Sequence, residues 1–199
     1  MRQQILAFVA ITVPLVLTPG IATTLVLRTS LLHGVAAGFT IAAGAALASA
    51  AYGVLSGTST MLLVQKYPGT LVALEVGGGV FLVWIAAKAI WRALGPEDTL
   101  PRTASAGGIG QGFLANALNP PVALFYFLVV PRFVPTGAPL FRFVMVLTAV
   151  HVALAFAWHG TCAAAAGALS RFLSSPAARR AIDLITGGVL IAFAVKMLW

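Results

Sequence analysis

Two apolar segments of this sequence are each interrupted by residues that disrupt helices, and polar side chains gather at both interruptions. Thr18-Pro19-Gly20 breaks the first segment and Asn119-Pro120-Pro121 breaks the fourth. Proline removes a backbone donor and clashes with the carbonyl one turn back, and glycine loosens the turn further. Freed amides suit an anionic group such as a carboxylate, and freed carbonyls suit an ammonium. The pattern therefore predicts a site for a small molecule with both charges, such as an amino acid. The alternative is a pair of proline kinks without function.

The predicted lining of this site consists of the breaks themselves and the polar side chains beside them. These residues are Thr18, Pro19, Gly20, Thr23, Asn116, Asn119 and Pro120. Asn116 and Asn119 lie three positions apart and therefore share one helix face. Each amide offers both donor and acceptor groups. Hydrogen bonding between helices, with no contact to a ligand, is the alternative role for these side chains.

Four titratable residues fall inside apolar segments, where a charge is costly and indicates a function. They are Glu75, His151, His159 and Asp183. Glu75 and His151 are the candidates for coupling to protons, since histidine changes charge near neutral pH; Glu75 also lies close enough to a helix end to snorkel to the interface. For Asp183 we expect an interfacial ion pair with its neighbours Arg179 and Arg180. No Cys/His/Asp cluster has the spacing of metal ligands, so neither a metal nor another cofactor is expected.

The elements that position these groups must form a membrane protein. Of 199 residues, 60% are hydrophobic and only 8% are charged, against about 25% charged in an average soluble domain, and the mean hydropathy is +1.02. Sixteen charged side chains cannot cover a water-soluble domain of this size, and a disordered chain is excluded as well. The net charge of +8 comes from Lys and Arg residues standing singly between apolar runs, which is typical of cytoplasmic loops. Membrane lipid, and not nucleic acid, is the expected surroundings of the chain.

The apolar runs divide into six predicted spans, each near the roughly 20 residues that a transmembrane helix needs. They cover residues 3–26, 34–64, 70–91, 109–130, 143–169 and 181–199. The one clearly polar stretch, residues 95–108, follows the third span.

The third and sixth spans resemble each other. Gly78-Gly79-Val80 is followed by Lys88 and Trp91, and Gly187-Gly188-Val189 is followed by Lys196 and Trp199. An odd number of helices in each half inverts the second half relative to the first, as in many secondary transporters. The sequence therefore predicts an all-α integral membrane protein: one domain, 1–199, of six transmembrane helices in two inverted three-helix repeats, about 1–94 and 109–199, joined by the polar loop 95–108. The alternative is chance, because Gly-Gly pairs and terminal Lys or Trp are common in membrane helices.

Small residues in the second span indicate close packing of helices. Gly34, Gly38 and Gly44 let backbones approach one another, and such glycine-rich faces would also permit a homodimer.

The sequence resembles the LysE/RhtB group of bacterial amino-acid exporters along nearly its whole length. The matching pieces are Leu17-Thr18-Pro19-Gly20, then Gly34, Gly38 and Gly44, then Gly78 with Phe81-Leu82, then Gly112-Phe113, Asn116, Asn119-Pro120, Ala123, Phe125, Pro131 and Phe133-Val134, and finally Gly187. The resemblance implies a multi-pass exporter of amino acids or their derivatives in the bacterial inner membrane, driven by the proton-motive force, with no enzymatic activity.

Three departures from that family's pattern bear on the substrate. Ile21-Ala22 stands where the family often has proline followed by Asn or Asp, and Pro121 stands where it often has lysine. Small residues around Ala48 and Ser49 replace an acid that some members carry in the second helix. With so few acids in the spans, a neutral amino acid is favoured over a cationic one.

Two other functions fit parts of the sequence. One is export of another small solute or a metal cation on the same fold. The other is an intramembrane hydrolase with Ser56 as nucleophile and His151 as base, but Gly53-Val54-Leu55-Ser56-Gly57 is one residue too long for a Gly-x-Ser-Gly motif.

Overall fold

Helices are the only regular secondary structure in the part that the structure, a computed structural model, describes: residues 2–67, 69–94 and 108–198. The helices are α1 (Arg2–Leu17), α2 (Ile21–His33), α3 (Val35–Lys66), α4 (Thr70–Leu94), α5 (Ile109–Ala117), α6 (Pro120–Leu124), α7 (Leu140–Ala164), α8 (Ala166–Ser174) and α9 (Pro176–Leu198). A π-helical turn, Phe125–Val129, and a 3₁₀ turn, Val130–Phe133, continue α6. The predicted polar loop lies outside the described residues except for Gly108.

Three stretches are long and apolar enough to cross a membrane as single helices: Val35–Leu63, Val76–Leu94 and Leu140–Ala164. Two further candidates are bent pairs, α1 with α2 at 51° and α5 with residues 120–133 at 67°. The described residues therefore hold three to five candidate spans, and the predicted count of six is not confirmed. The predicted sixth span corresponds to α9, whose 23 residues include Arg179, Arg180, Asp183 and Lys196, so that charge lies near both of its ends.

Both bends occur at the proline breaks that the sequence indicated. Pro19 and Gly20 separate α1 from α2, and Asn119 precedes the two prolines that begin α6. Element boundaries differ from the predicted spans elsewhere. The fifth predicted span, 143–169, is divided at Ala165 into α7 and α8, and the predicted first span continues to His33.

Helices α4 and α9 form the most extensive helix pair and run in opposite directions. Arg92 at the end of α4 pairs with Asp183 near the start of α9, Nη2 to Oδ1, at 2.9 Å. Further along, a Cβ added to Gly187 would lie 2.7 Å from Cγ1 of Ile90, so the two helices approach closely there. The ion pair described for Asp183 thus crosses to α4, whereas the sequence suggested the adjacent arginines of its own helix.

The three glycines singled out in the second predicted span have two different roles. A Cβ on Gly38 would overlap the Ser30 hydroxyl, and a Cβ on Gly44 would overlap the Ile109 carbonyl oxygen of α5. Gly34 lies at no helix contact, contrary to the expectation from sequence, because nothing lies within 4 Å of its Cβ position. It joins α2 to α3 with φ = 87°, a conformation that glycine adopts readily.

Candidate functional site

A cavity of about 320 Å³ lies between the two bends. Of the residues that the sequence singled out as its lining, six border it: Thr18, Pro19, Gly20, Thr23, Asn116 and Asn119. Pro121 borders it and Pro120 does not. His151 borders the cavity as well, whereas the side chain of Glu75 lies outside the described part of the structure. The cavity is of the smallest size usual for ligand pockets.

The first break leaves backbone amides free at the cavity. Gly20 is extended and provides no side-chain cap to α2, and the first backbone bond of the helix runs from the amide of Thr24 to the Gly20 carbonyl, at 3.0 Å. The amides of the three preceding residues, 21–23, therefore have no partner within the helix. These residues border the cavity, so the N-terminus of α2 offers it up to three N–H donors.

The same break also frees a carbonyl. In an α-helix the carbonyl of Leu15 would accept from the residue four positions on, which is Pro19 and has no N–H. Leu15 and Val16 border the cavity. The first break thus presents hydrogen-bond donors and an acceptor to one small space.

The second break is closed instead, although the sequence suggested two equivalent breaks. Pro120 and Pro121 have no N–H, and the next two amides, of Val122 and Ala123, both donate to the Asn119 carbonyl at 3.0 and 3.2 Å. No amide of the first turn of α6 is left to bind an anion. The N-terminus of α6 therefore does not repeat the chemistry of the N-terminus of α2.

The carbonyls at the second break are also satisfied internally. Pro120 has no N–H to donate to the Asn116 carbonyl, which instead accepts from the amide of Asn119 at 3.2 Å. The Ala117 carbonyl, which Pro121 cannot serve, accepts from Tyr52 Oη of α3 at 2.5 Å. A hydroxyl from another helix thus replaces the missing backbone donor, so this break forms a rigid wall of the cavity.

Asn116 fixes α5 against α3. Its Nδ2 donates to the Ala45 carbonyl at 2.8 Å and to Ser49 Oγ at 2.9 Å, and only 7% of the residue is exposed. These contacts fit the alternative role that the sequence left open, hydrogen bonding between helices, at a position that also borders the cavity. Close approach of the two helices makes the bonds possible, because Gly44 and Gly112 bring their backbones together.

Two histidines of α7 border the cavity, and each is bonded to a hydroxyl. The Tyr126 hydroxyl and His151 Nδ1 are 2.6 Å apart, and the ring centroids of Phe125 and His151 are 5.2 Å apart. His159 Nε2 lies 3.4 Å from Thr23 Oγ1. Tyr126 was not identified from the sequence, where an aromatic residue within an apolar run carries no signal of a polar contact.

Ser56 has a structural role that the π-helical turn explains. The amide of Val130 donates five residues back, to Phe125, so Pro131 would be the next donor, to Tyr126, but has no N–H. Ser56 Oγ donates to the Tyr126 carbonyl instead, at 2.5 Å. The hydroxyl is buried and bonded to backbone, which is not the arrangement of a nucleophile activated by His151.

A chain of contacts places Arg92 beside the first break. Arg92 pairs with Asp183, and Thr186, one turn further along α9, bonds Thr18 through its hydroxyl at 2.9 Å. Arg92 borders the cavity. In the sequence Arg92 directly follows the third predicted span, 70–91, and nothing marks it as a site residue. Lys88 and Arg92 lie four residues apart and share a helix face. The sequence therefore does not show that Arg92, and not Lys88, borders the cavity.

Other features of the described residues limit the chemistry of the site. No group of three or more His, Cys, Asp or Glu side chains is placed to hold a metal ion within this part of the chain. Thr12 borders the cavity and is fully buried, and among the described residues its hydroxyl has no hydrogen-bond partner.

Comparisons with known proteins identify the family of this chain. The family model described as LysE type translocator matches residues 13–199. The membrane protein YrhP of Bacillus subtilis (strain 168) is 21% identical over 98% of both chains. Leucine efflux proteins of Enterobacter sp. (strain 638) and Klebsiella pneumoniae are each 27% identical, over 62% of this chain and 60% of theirs. No solved structure matches. With a family match over almost the whole chain and several apolar helices, the protein is a multi-pass bacterial membrane protein that belongs to the LysE type translocator family.

Proposed function

We propose that this protein is a secondary transporter that exports an amino acid across the bacterial inner membrane. The observation that carries the proposal is the cavity of about 320 Å³ at the first helix break, where free amides and a free carbonyl meet. A carboxylate and an ammonium on one small molecule satisfy both kinds of backbone group. The family, described as LysE type translocator, and the two relatives named leucine efflux proteins support the same function.

The substrate is a neutral amino acid with an apolar side chain, such as leucine. Apolar side chains form much of the wall, among them Val16, Ile85, Phe125 and Phe156. Arg92 is the one permanently charged side chain among the described lining residues, and none of these residues is acidic. A second ammonium, as in lysine, would therefore have no carboxylate among these lining residues to pair with and would lose its hydration.

The residues at the breaks take different parts in binding. Thr18, Gly20 and Thr23 hold the polar end of the substrate at the first break, where Pro19 keeps the backbone open. Asn116 and Asn119 form the facing wall, and Pro120 shapes it without bordering the cavity. Gly44 sets the spacing between α3 and α5 that keeps this wall in place, and Gly38 sets the spacing between α3 and α2.

The transport cycle follows from an inverted repeat. The halves 1–94 and 109–199 each contribute three spans, with α9 as the sixth, and they rock against each other around the cavity. The antiparallel pairing of α4 with α9, the predicted counterparts, supports this arrangement.

Proton coupling resides at His151. It borders the cavity, so its charge state acts directly on an occupant, and the 2.6 Å contact with Tyr126 fixes the orientation of its ring. Glu75 is the second candidate for coupling.

Efflux from proteoliposomes tests the proposal. Vesicles containing the purified protein and radiolabelled leucine should release label when a pH gradient is imposed, and a protonophore should stop the release. His151→Ala should abolish the response to the gradient but keep exchange of internal for external leucine. His33→Ala, at the exposed end of α2, is the matched control and should behave as wild type. Full gradient-driven export by His151→Ala would refute the coupling role, and release of none of the twenty amino acids would refute the transport function.

A further inference from the structure

The ion pair at the edge of the cavity has a single hydrogen bond and is partly exposed. Arg92 and Asp183 share one hydrogen bond, from Nη2 to Oδ1 at 2.9 Å, whereas a guanidinium binds a carboxylate most strongly through two parallel bonds. The Arg92 side chain is 41% exposed and the Asp183 side chain 10%, so the arginine is the partner with freedom to move. A second carboxylate that offers two oxygens would compete well for Arg92.

The ion pair also lies beside the free amides of α2. Asp183 and Thr186 are three residues apart on one face of α9, and Thr186 bonds Thr18, two residues before Gly20. Arg92 and the N-terminus of α2 therefore border the same side of the cavity. Both favour negative charge, the first as a full cation and the second through its unbonded amides and the helix dipole.

Within the described residues, Thr12 adds a buried polar group without a partner at the border of the cavity. Thr12 borders the cavity with 0% exposure, and its hydroxyl has no partner among the described residues. Buried polar groups are nearly always hydrogen-bonded. An occupant of the cavity with polar atoms would complete this site.

We propose that Arg92 is the carboxylate-binding residue of the cavity, and that it exchanges Asp183 for the carboxylate of the substrate. This rests on the proposed amino-acid transport. The substrate carboxylate lies between the guanidinium and the amides at the start of α2. The ammonium lies at the Leu15 carbonyl, which receives no hydrogen bond from Pro19 because proline has no N–H. The substrate class follows: α-amino acids with a free carboxylate bind more tightly than amines or amino alcohols with the same side chain. Asp183 acts as an internal competitor that holds Arg92 in place while the cavity is empty.

Binding to the purified full-length protein in lipid nanodiscs, measured by titration calorimetry, tests the proposal with two probes. L-leucine carries the carboxylate, and L-leucinol has the same side chain and ammonium without it. Arg92→Gln should weaken leucine binding by about 10- to 100-fold, as expected for loss of a charge-assisted hydrogen bond, and should leave leucinol binding unchanged. Lys88→Gln is the matched control. It removes the same charge one turn earlier on α4, where the ammonium stacks on Trp84 at 4.2 Å, and it should bind leucine as wild type does.

Asp183→Asn separates this role from a purely structural one. If the ion pair only holds α4 to α9, removing either partner weakens binding. If Asp183 competes for Arg92, Asp183→Asn should instead tighten leucine binding by about two- to fivefold, the strength of a partly exposed ion pair.

Equal leucine affinity in wild type and Arg92→Gln overturns the proposal and leaves amino-acid transport standing. If Arg92→Gln binds neither probe, Asp183→Asn decides: a gain in affinity for leucine supports the exchange, and no gain overturns it. If the wild type binds none of the twenty amino acids, the proposed function and this inference fall together.

Discussion

Replacing Gly44 by alanine should separate α3 from α5 and distort the wall of the cavity. The added Cβ would overlap the Ile109 carbonyl oxygen and lie 2.6 Å from the Phe113 amide nitrogen. Ordinary van der Waals contact begins at 3.4 Å. The distance from the new Cβ to the Phe113 nitrogen must therefore grow from 2.6 to 3.4 Å, a retreat of 0.8 Å. Since both neighbours are backbone atoms, a rotamer change cannot relieve the overlap, and α5 must move as a unit.

That movement would break the bonds that hold Asn116. Its contacts of 2.8 Å to the Ala45 carbonyl and 2.9 Å to Ser49 Oγ would lengthen beyond hydrogen-bonding distance if α5 retreated along them. Overpacking of this kind costs about 1–3 kcal/mol, and a buried amide left without partners costs about 1–3 kcal/mol more. We therefore expect Gly44→Ala to lose roughly 2–6 kcal/mol of stability. The unfolding temperature should fall on the order of 10 °C for a chain of this length.

Thermal unfolding of the purified protein in detergent measures this loss. Gly110→Ala is the matched control, because it makes the same substitution on α5 where nothing lies within 4 Å of the new Cβ. It should equal or exceed wild type in stability, since alanine favours a helix over glycine by about 1 kcal/mol. If Gly44→Ala unfolds at the same temperature as Gly110→Ala, the close contact between α3 and α5 is refuted, and with it our account of how Asn116 is positioned.

Three further predictions follow from other contacts. Tyr126→Phe removes the 2.6 Å contact with His151 and should slow gradient-driven efflux several-fold while exchange continues; equal coupled rates would show that the contact is dispensable. Gly187→Ala, which places a Cβ 2.7 Å from Ile90, should lower the unfolding temperature, and Gly188→Ala, which meets nothing within 4 Å, should not; equal values would contradict the close packing of α4 with α9. Ser56→Ala should cost about 1–3 kcal/mol, because the Tyr126 carbonyl loses its donor, and should leave exchange of labelled leucine intact. Loss of transport by a variant that remains stably folded would contradict a purely structural role for Ser56.

The sequence predicted the features that depend on single residues with strong local effects. Proline and glycine locate both helix breaks, because a missing N–H has the same consequence in any fold. The apolar composition predicts an all-helical membrane protein, because backbone groups in lipid must bond within the chain. The family followed from the same motifs and is confirmed by the comparison over residues 13–199.

Other features depend on which side chain of a sequence-distant helix donates a hydrogen bond to the backbone of a broken helix. Nothing local to Tyr52 or Ser56 shows that they serve the carbonyls of Ala117 and Tyr126. The inequivalence of the two breaks was therefore missed, although both contain proline. Arg92 was missed for a similar reason, because facing the cavity or the lipid headgroups is decided by the rotation of α4 against α9 and not by the local sequence.

The two hydroxyls that serve the second broken span have a consequence for how the protein is made. Tyr52 and Ser56 stand one turn apart on α3, and they donate to the carbonyls of residues 117 and 126. Translation delivers α3 before the prolines of the broken span are synthesised, so the donors are already in the bilayer when the unserved carbonyls arrive. Reversing that order, as in a circular permutant that begins at residue 109, would send the broken span into lipid without its partners. The order of segments in the chain thus places both donor hydroxyls in the bilayer before the second broken span.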